Sequence, residues 1–231
     1  MTALLVLGSK PEPVLPAASA FDDVACANAS GYSAALYGLP RPAFTVMSAI
    51  LTSGLGSGRQ SLRALRGLET DVLYYFPRAR KHRKLLKMPL GLVQDFRTGP
   101  FYFRYQLRKV SYRWRRFVRQ ENAWYQQQAA SLCQGDAALQ EQIAAKSPST
   151  GIMTLVVGMT LGIYERYILS GFSFELTHAY ADNPEIDERG TKVSRHTPTD
   201  ILMLRHLSAV YGNVYTTEPA VHEHGGVPLL P

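Results

Sequence analysis

The sequence predicts an α/β protein with a single Rossmann-like domain built on a mostly parallel sheet. Wholly apolar runs of strand length, such as residues 3–7 and 23–27, alternate with stretches of helical spacing. Residues 150–162 are apolar nearly all round, which indicates a buried helix. Alternation of this kind is typical of a parallel sheet covered by helices, with ligands at the carboxyl ends of its strands.

The remaining elements follow from the same patterns. Strands are expected at residues 42–47, 71–76, 167–170 and 213–217, and helices at residues 57–68, 122–133 and 137–146. Another helix begins at Thr197, because Pro198 suits a first helical position and Asp200 suits a first turn. Residues 172–195 are polar and long for a loop, so we expect a flexible lid there.

Composition limits the class of protein. Apolar residues make up 46% and charged residues 19% of the 231 positions, which is ordinary for a globular domain. Cys26 and Cys133 lie far apart and fit no metal spacing, so we expect free thiols in a reducing compartment. His222 and His224 likewise fit no common metal spacing. The first residues lack a basic signal region and no apolar run reaches membrane-spanning length, which favours a cytoplasmic protein.

Basic residues are concentrated in one segment. The net charge is +7, and residues 78–119 hold fourteen of the twenty-five Lys and Arg residues against a single acid, Asp95. Large apolar and aromatic side chains stand between these charges, which predicts a helical, basic insertion with a polyanionic partner. We favour an anionic membrane surface, with the protein peripheral to the inner membrane face. Nucleic acid is the rival partner, but no known nucleic-acid motif is found, and charge runs are often only solvated faces.

The start of the buried helix is a candidate anion site. Ser149, Thr150 and Gly151 stand where free backbone N–H groups and a partial positive charge are expected. Two hydroxyl donors and a glycine that allows close approach would suit a phosphate or a carboxylate. The alternative is a plain helix cap beside a tight turn.

Several short motifs, in order, resemble those of a known enzyme family. Pro-Ser-Thr-Gly at residues 148–151, a buried helix and then a strand ending in Gly171-Phe172-Ser173 are similar to the small sialyl motif of the CMP-sialic acid-dependent sialyltransferases. The order of the other pieces resembles the bacterial members in glycosyltransferase family 42: a turn at residues 8–11, Asn28 after the second strand, and His196 before a Thr-Pro-Thr-Asp helix start. The match covers the first 50 and the last 85 residues, and the middle does not match.

This resemblance implies a GT-A-like variant of the fold and an inverting transfer of an acidic keto sugar from its CMP conjugate. It implies that His196 is the general base, since imidazole titrates near neutral pH. Tyr180 would contact the leaving phosphate from the lid, with His178 assisting. The alternatives are a solvent-exposed histidine at a helix start and ordinary packing of a lid tyrosine. The acceptor would be a surface glycan or a lipid-linked glycan.

The donor site implied by the resemblance draws on both ends of the chain. Asn28 would bond the cytidine phosphate or ribose, although a turn asparagine with a left-handed backbone is the alternative. Gly8 would let the backbone approach the nucleotide, and Lys10 would pair with phosphate. No metal is expected, because the family is metal-independent and no Asp-X-Asp motif occurs. The donor residues implied are Gly8, Ser9, Lys10, Asn28, Ser149, Thr150, Gly151, Gly171, Phe172 and Ser173.

The chain also departs from the family pattern. Ser9 replaces an asparagine of the first turn, and Glu175 replaces a tyrosine that follows the strand of the sialyl motif. These changes leave the donor open between CMP-sialic acid and the chemically similar CMP-Kdo. They also keep open a catalytically inactive scaffold of the same fold. A homo-oligomer is compatible with the sequence.

Overall fold

The computed structural model describes residues 2–53, 56–77, 88–175 and 194–231. A single sheet of seven parallel strands runs through the molecule in the order β5-β4-β3-β2-β1-β6-β7. The strands are β1 (Ala3–Leu7), β2 (Asp23–Ala27), β3 (Phe44–Ser48), β4 (Glu69–Phe76), β5 (Arg113–Arg119), β6 (Arg166–Ser170) and β7 (Val214–Thr216). The predicted α/β class with a Rossmann-like parallel sheet is confirmed.

Helices cover both faces of this sheet. They are α1 (Gly31–Leu36), α2 (Gly56–Ala64), α3 (Met88–Arg97), α4 (Pro100–Lys109), α5 (Asn122–Leu132), α6 (Ala137–Ala145), α7 (Thr150–Leu161), α8 (Thr197–Tyr211) and α9 (Pro219–Gly225), with short 3-10 turns at Ala18–Ala20 and Ala49–Thr52. Leu4 and Val6 of β1 face the core formed with α5 to α9. Alternate residues of β1, such as Leu5, face α1 on the opposite side. Beyond them, α2 and α4 pack against β3 and β4 on that second face.

The order of the strands places a crevice at the centre of the sheet. The chain lays down β1 to β5 in one direction and then crosses to the other side of β1 for β6 and β7. Leu7 is paired with Cys26 of β2 and with Ser170 of β6, so these three strands end at the same level. Ligands of open parallel sheets bind where the strand order reverses, which here is the carboxyl edge between β1 and β6.

Helix α7 runs antiparallel to the strands and begins at this edge. Gly158, in its middle, lies so close to the sheet that an added Cβ would stand 2.6 Å from Leu4 Cδ2. Ser149 caps the first turn and Gly162 ends the helix with a φ of 66°. Residues Ile152 to Met159 are all buried, as the sequence indicates. The expected buried helix is confirmed, and Ser149 is its cap.

Most predicted elements are present within a few residues of their expected ends, but three elements were not expected. Helix α1 follows β2, strand β5 lies in the basic segment, and α9 forms near the end of the sequence, where no element was predicted. The described part of the basic segment therefore consists of two helices followed by an edge strand. Residues 78–87 lie outside the described residues.

The arginines of β5 have a structural role that the basic segment as a whole did not suggest. Arg113 lies 3.8 Å from Glu69, and Arg115 lies 3.1 Å from Asp71, both across the β4–β5 pair. Charged side chains on an edge strand also hinder pairing with the exposed edge of another sheet. Part of the basic segment therefore protects the open edge of the sheet.

Two further observations concern the same described residues. Among them, no helix is long and apolar enough to cross a membrane. Cys26 and Cys133 are both free and buried, and burial raises the pKa of the Cys26 thiol to about 12.

Candidate active site

The loops that follow β1 and β6 are bound to each other at the carboxyl edge. The Gly8 amide donates to the Ser170 carbonyl and the Lys10 amide donates to the Gly171 carbonyl, each at 2.8 Å. An added Cβ at residue 8 would lie 2.2 Å from the Gly171 oxygen, closer than any carbon can approach. Gly8 is therefore required for the contact between the two loops, and its expected approach to the nucleotide stays a prediction.

A buried carboxylate holds this crossing together. Glu218 is 1% exposed, and it accepts hydrogen bonds from the Gly171 amide at 2.8 Å and from the Val14 amide at 2.9 Å. It also forms an ion pair with Lys10 at 2.6 Å. Buried carboxylates are tolerated when several donors replace their water, which is the case here. Sequence patterns did not indicate Glu218 as part of the site, although Glu-Pro before a short helix is a usual helix start.

Lys10 is consequently engaged with the protein. Its ammonium group carries three N–H donors, and one of them is directed at Glu218. The predicted contact between Lys10 and a phosphate stays a prediction, with two donors available for it.

Asn28 joins the ends of β2 and β3. Its φ of 53° is left-handed, so the turn asparagine considered as an alternative is present. Its side-chain oxygen accepts from the Ser48 amide at 2.9 Å, and its own amide donates to the Val46 carbonyl. No hydrogen bond from Asn28 Nδ2 to the described part of the chain is found. The bond at the side-chain oxygen fixes the orientation of the amide group, and Nδ2 can still donate to a ligand.

The turn before α7 is shaped by its neighbours. Ser149 Oγ accepts from the Ile152 amide at 3.3 Å, and the Ser149 amide donates to Asp200 Oδ1 at 2.8 Å. An added Cβ at Gly151 would stand 2.7 Å from the ring of Phe172, so this glycine makes room for a buried side chain. The Thr150 and Gly151 amides still begin the helix at the crevice, where the N-terminal N–H groups have no intrahelical partner.

Asp200 is a buried acid beside this turn. It is 6% exposed, and burial raises the pKa of its carboxyl group to about 7, against the opposing effect of hydrogen bonds from Ser149. The group can therefore change its charge near neutral pH, next to the backbone that begins α7.

The orientation of His196 fits a base. It stands at the N-cap of α8, and its Nδ1 lies 2.8 Å from the Ser147 carbonyl oxygen. A carbonyl only accepts, so this contact places the proton on Nδ1 and leaves the Nε2 lone pair as the acceptor of the neutral ring. The contact also joins the beginnings of α7 and α8. The sequence did not indicate this role of Ser147.

A polar cleft of about 530 Å³ lies along the same edge, at the ends of β4 and β5. Its walls combine an aromatic residue with amide, carboxyl and guanidinium groups, and they include the turn between α3 and α4. The lining residues are Tyr75, Pro77, Asp95, Thr98, Gly99, Pro100, Arg119, Gln120, Glu121 and Asn122.

The predicted lid is described only at its two ends. Tyr180 and His178 lie outside the described residues, so their expected roles stay predictions. The two described ends meet beside α8, because the Phe174 carbonyl accepts from Thr197 Oγ1 at 2.7 Å and from the Ser194 amide at 3.4 Å. Ser173, also predicted, accepts from the Glu175 amide at 3.4 Å. The structure thus brings the sequence-predicted donor residues to one edge, and their roles remain predictions.

No protein-family model matches the sequence, and no curated protein matches it. Solved structures do resemble the chain. CstII, a sialyltransferase from Campylobacter jejuni solved with the substrate analogue CMP-3FNeuAc, has a TM-score of 0.58 and 16% identity, over 100% of this chain and 87% of that chain. CST-II with a trisaccharide acceptor and CMP has a TM-score of 0.57 and 13% identity, over 100% and 86%.

A second sialyltransferase has the same architecture. The monofunctional α-2,3-sialyltransferase Cst-I from Campylobacter jejuni has a TM-score of 0.52 and 14% identity, over 99% of this chain and 80% of that chain. These similarities extend through the middle of the chain, where the motifs did not match. The chain therefore has the GT-A-like fold of these bacterial sialyltransferases, which confirms the fold that the motif resemblance implied.

Proposed function

We propose that this chain is a CMP-sugar-dependent glycosyltransferase that moves an acidic keto sugar, sialic acid or Kdo, to a glycan acceptor with inversion. The observation that carries the proposal is the coincidence of three features at one edge: the β1–β6 crevice, the beginning of α7, and a histidine whose Nε2 is left as an acceptor. Solved neighbours that bind CMP support the choice of nucleotide.

The beginning of α7 suits the anionic part of the donor. Phosphate is stabilised by helix N-terminal amides and by the positive end of the helix dipole. Lys10 and Asn28 Nδ2 stand on the neighbouring strand ends and supply further donors. These groups would stabilise the charge that develops on the departing CMP.

His196 would act on the acceptor. Its Nε2 takes the proton of an acceptor hydroxyl, and the hydroxyl oxygen forms a bond to the anomeric carbon of the sugar. The bond from that carbon to the phosphate oxygen breaks at the same time, and its electron pair leaves with CMP. The Ser147 carbonyl stabilises the protonated imidazole through Nδ1–H.

The polar cleft at β4 and β5 is the proposed acceptor site. It lies along the carboxyl edge that carries the donor crevice, and its carboxyl, amide and guanidinium groups match the hydroxyls of a sugar. A surface glycan or a lipid-linked glycan would both present such hydroxyls. Kdo and sialic acid both carry the carboxylate and keto carbon that the proposal needs.

Binding of nucleotides tests the donor half of the proposal. CMP should raise the melting temperature more than UMP, AMP or GMP does, because a ligand that binds only the folded state stabilises it by mass action. Release of CMP from CMP-sialic acid and from CMP-Kdo, each with and without glycan acceptors, identifies the sugar. Equal stabilisation by CMP and UMP would refute a cytidine-specific donor site.

A histidine variant tests the catalytic half. His196→Gln should lower turnover by about 10²–10⁴-fold, the usual effect of losing a general base, with little change in CMP affinity. His222→Gln is the matched control, because His222 is exposed on α9 and its Nδ1 also lies 2.9 Å from a backbone carbonyl. Near-normal turnover of His196→Gln would exclude His196 as the base.

A further inference from the structure

Helices α3 and α4 present apolar side chains to solvent. Five of them are between 51% and 74% exposed, which is unusual for adjacent large residues on one surface. We call this surface the apolar-basic face, and it comprises Leu92, Val93, Phe96, Phe101 and Tyr105 with the neighbouring cations Arg104, Arg108 and Lys109.

The orientation of α4 is set by its buried side. Phe103 and Leu107 are fully buried against β4 and the 3-10 turn after β3. Phe101, Tyr105 and Arg108 follow at intervals of four and three residues, so they form a stripe on the outward side. The core therefore holds these aromatic rings outward.

Aromatic rings on this face contact one another and the neighbouring cations, with the half-buried Tyr102 between two of the exposed rings. Tyr102 lies 5.4 Å from the ring of Phe96 and 6.2 Å from that of Tyr105. The Arg104 guanidinium lies 5.3 Å from the Phe101 ring, and Lys109 Nζ lies 5.1 Å from the Tyr105 ring. The cations of this face are therefore in direct contact with its aromatic rings.

The charge of this region is unbalanced. Residues 92–119, which contain the whole face, hold eight Lys and Arg residues against a single acid, Asp95. Arg104, Arg108 and Lys109 form no ion pair with the carboxylates that the structure describes. The apolar-basic face therefore offers positive charge that other parts of the described protein do not neutralise.

We propose that the apolar-basic face binds the surface of an anionic lipid bilayer. Aromatic and aliphatic side chains enter the headgroup boundary while Arg and Lys contact lipid phosphates, which is the arrangement found here. A second copy of the chain fits less well, because a two-fold contact would place these cations against each other. Nucleic acid would use the cations and rings but gives no role to Leu92 and Val93.

The face also adjoins the polar cleft. Thr98 and Gly99, between α3 and α4, and Pro100, the first residue of α4, line the cleft at β4 and β5. A bilayer on the apolar-basic face would therefore bring a lipid-linked glycan to the proposed acceptor site. That consequence rests on the proposed function, whereas lipid binding itself requires no catalysis.

Vesicle flotation with the full chain tests the proposal. Vesicles of phosphatidylcholine alone are compared with vesicles containing phosphatidylglycerol, at low and high salt. The protein should float with the anionic vesicles and lose this binding at high salt, since salt screens the phosphate contacts. Phe101→Gln with Tyr105→Gln should weaken binding by about tenfold or more, because two apolar groups no longer enter the bilayer.

A charge variant and its control isolate the electrostatic part. Arg108→Glu with Lys109→Glu should also lose binding. Lys146→Glu with Arg205→Glu changes the net charge equally, at exposed positions on the side of the sheet covered by α6 and α8, and should bind as wild type does. Each variant changes exposed side chains, and an unchanged melting temperature shows that it folds.

Three results would overturn the proposal. The first is that the wild-type protein does not bind anionic vesicles. The second is that the Phe101 and Tyr105 variant and the Arg108 and Lys109 variant both bind them as the wild type does. The third is that single-stranded nucleic acid binds the protein more tightly than vesicles do at equal salt. A dimer that the Phe101 and Tyr105 variant dissociates, without any vesicle binding, would assign the face to a second copy of this chain.

Discussion

Replacing Asp200 by asparagine should remove a large part of the pH dependence of stability. Asp200 is buried, and its carboxyl pKa is raised from 3.8 to about 7. The protonated form is favoured by the fold, so its contribution to stability is fully present below pH 3.8 and is lost as the pH rises through about 7. The full effect of this pKa shift on the free energy of unfolding is about 4 kcal/mol, at about 1.36 kcal/mol per pKa unit.

Urea unfolding at pH 5, 6, 7 and 8 measures this effect. Between pH 5 and pH 8 the wild type should lose about 2.5 kcal/mol of unfolding free energy more than Asp200→Asn does. The variant stays neutral throughout, and its side-chain oxygen can still accept from the Ser149 amide. Subtracting the curve of the variant also removes the contribution of every ionisable group that the two proteins share.

Asp22→Asn is the matched control. Asp22 Oδ2 also accepts a backbone hydrogen bond, from the Ala3 amide at 2.8 Å, but the residue is exposed. This variant should follow the pH dependence of the wild type. Parallel curves for the wild type and Asp200→Asn would refute the reasoning from burial, and so would a wild type that gains stability relative to the variant as the pH rises.

Two further predictions concern the crossing of the β1 and β6 loops. Glu218→Gln should lower the unfolding free energy by about 2–4 kcal/mol, since it leaves Lys10 without its buried partner and weakens two backbone hydrogen bonds. Chemical denaturation measures this loss. Glu165→Gln is the control, because Glu165 is an exposed acid that also accepts from a backbone amide, that of Thr2, and its replacement should cost about 1 kcal/mol or less. Equal losses in the two variants would contradict the argument. Gly8→Ala should cost about 1–3 kcal/mol and weaken CMP binding in titration calorimetry, because its Cβ would meet the Gly171 oxygen. Gly31→Ala is the control: its added Cβ would have its nearest neighbour 3.9 Å away, so the unfolding free energy should hardly change. A Gly8→Ala protein with wild-type stability would mean that the loops can separate at no cost.

The sequence was most informative where burial alone decides structure. Strands β1 and β2 were predicted with their observed ends because all or nearly all of their side chains are apolar, as parallel strands buried on both faces require. Helix α7 carries its own start and stop signals in Ser149 and Gly162.

Strand β5 was missed for the opposite reason. It lies at the edge of the sheet and reads Arg-Trp-Arg-Arg-Phe-Val-Arg, so its pattern resembles a surface segment. Its pairing with β4 is visible only in three dimensions, where Arg113 and Arg115 meet the acids of that strand. Charged edge strands lack the burial signal on which such predictions depend.

The candidate site was predicted in its parts but not in its connections. The order of the motifs predicted Gly8, Asn28 and Ser149 at the carboxyl edge of the sheet, where the structure has them. The hydrogen bonds that complete this edge come from residues distant in sequence: Glu218 accepts from Lys10, and Asp200 accepts from the Ser149 amide. Patterns within a short window cannot indicate such partners.

The Lys10–Glu218 pair has a consequence for the order of events in synthesis. The two residues are 208 positions apart, and β1 also needs β6 as its neighbour in the sheet. Contacts of such long range form late and slow the folding of a chain. A nascent chain that has not reached residue 218 lacks the carboxylate that fixes the loops after β1 and β6. The crevice would therefore mature last, so the growing chain would complete the proposed nucleotide site only after residue 218 has been made.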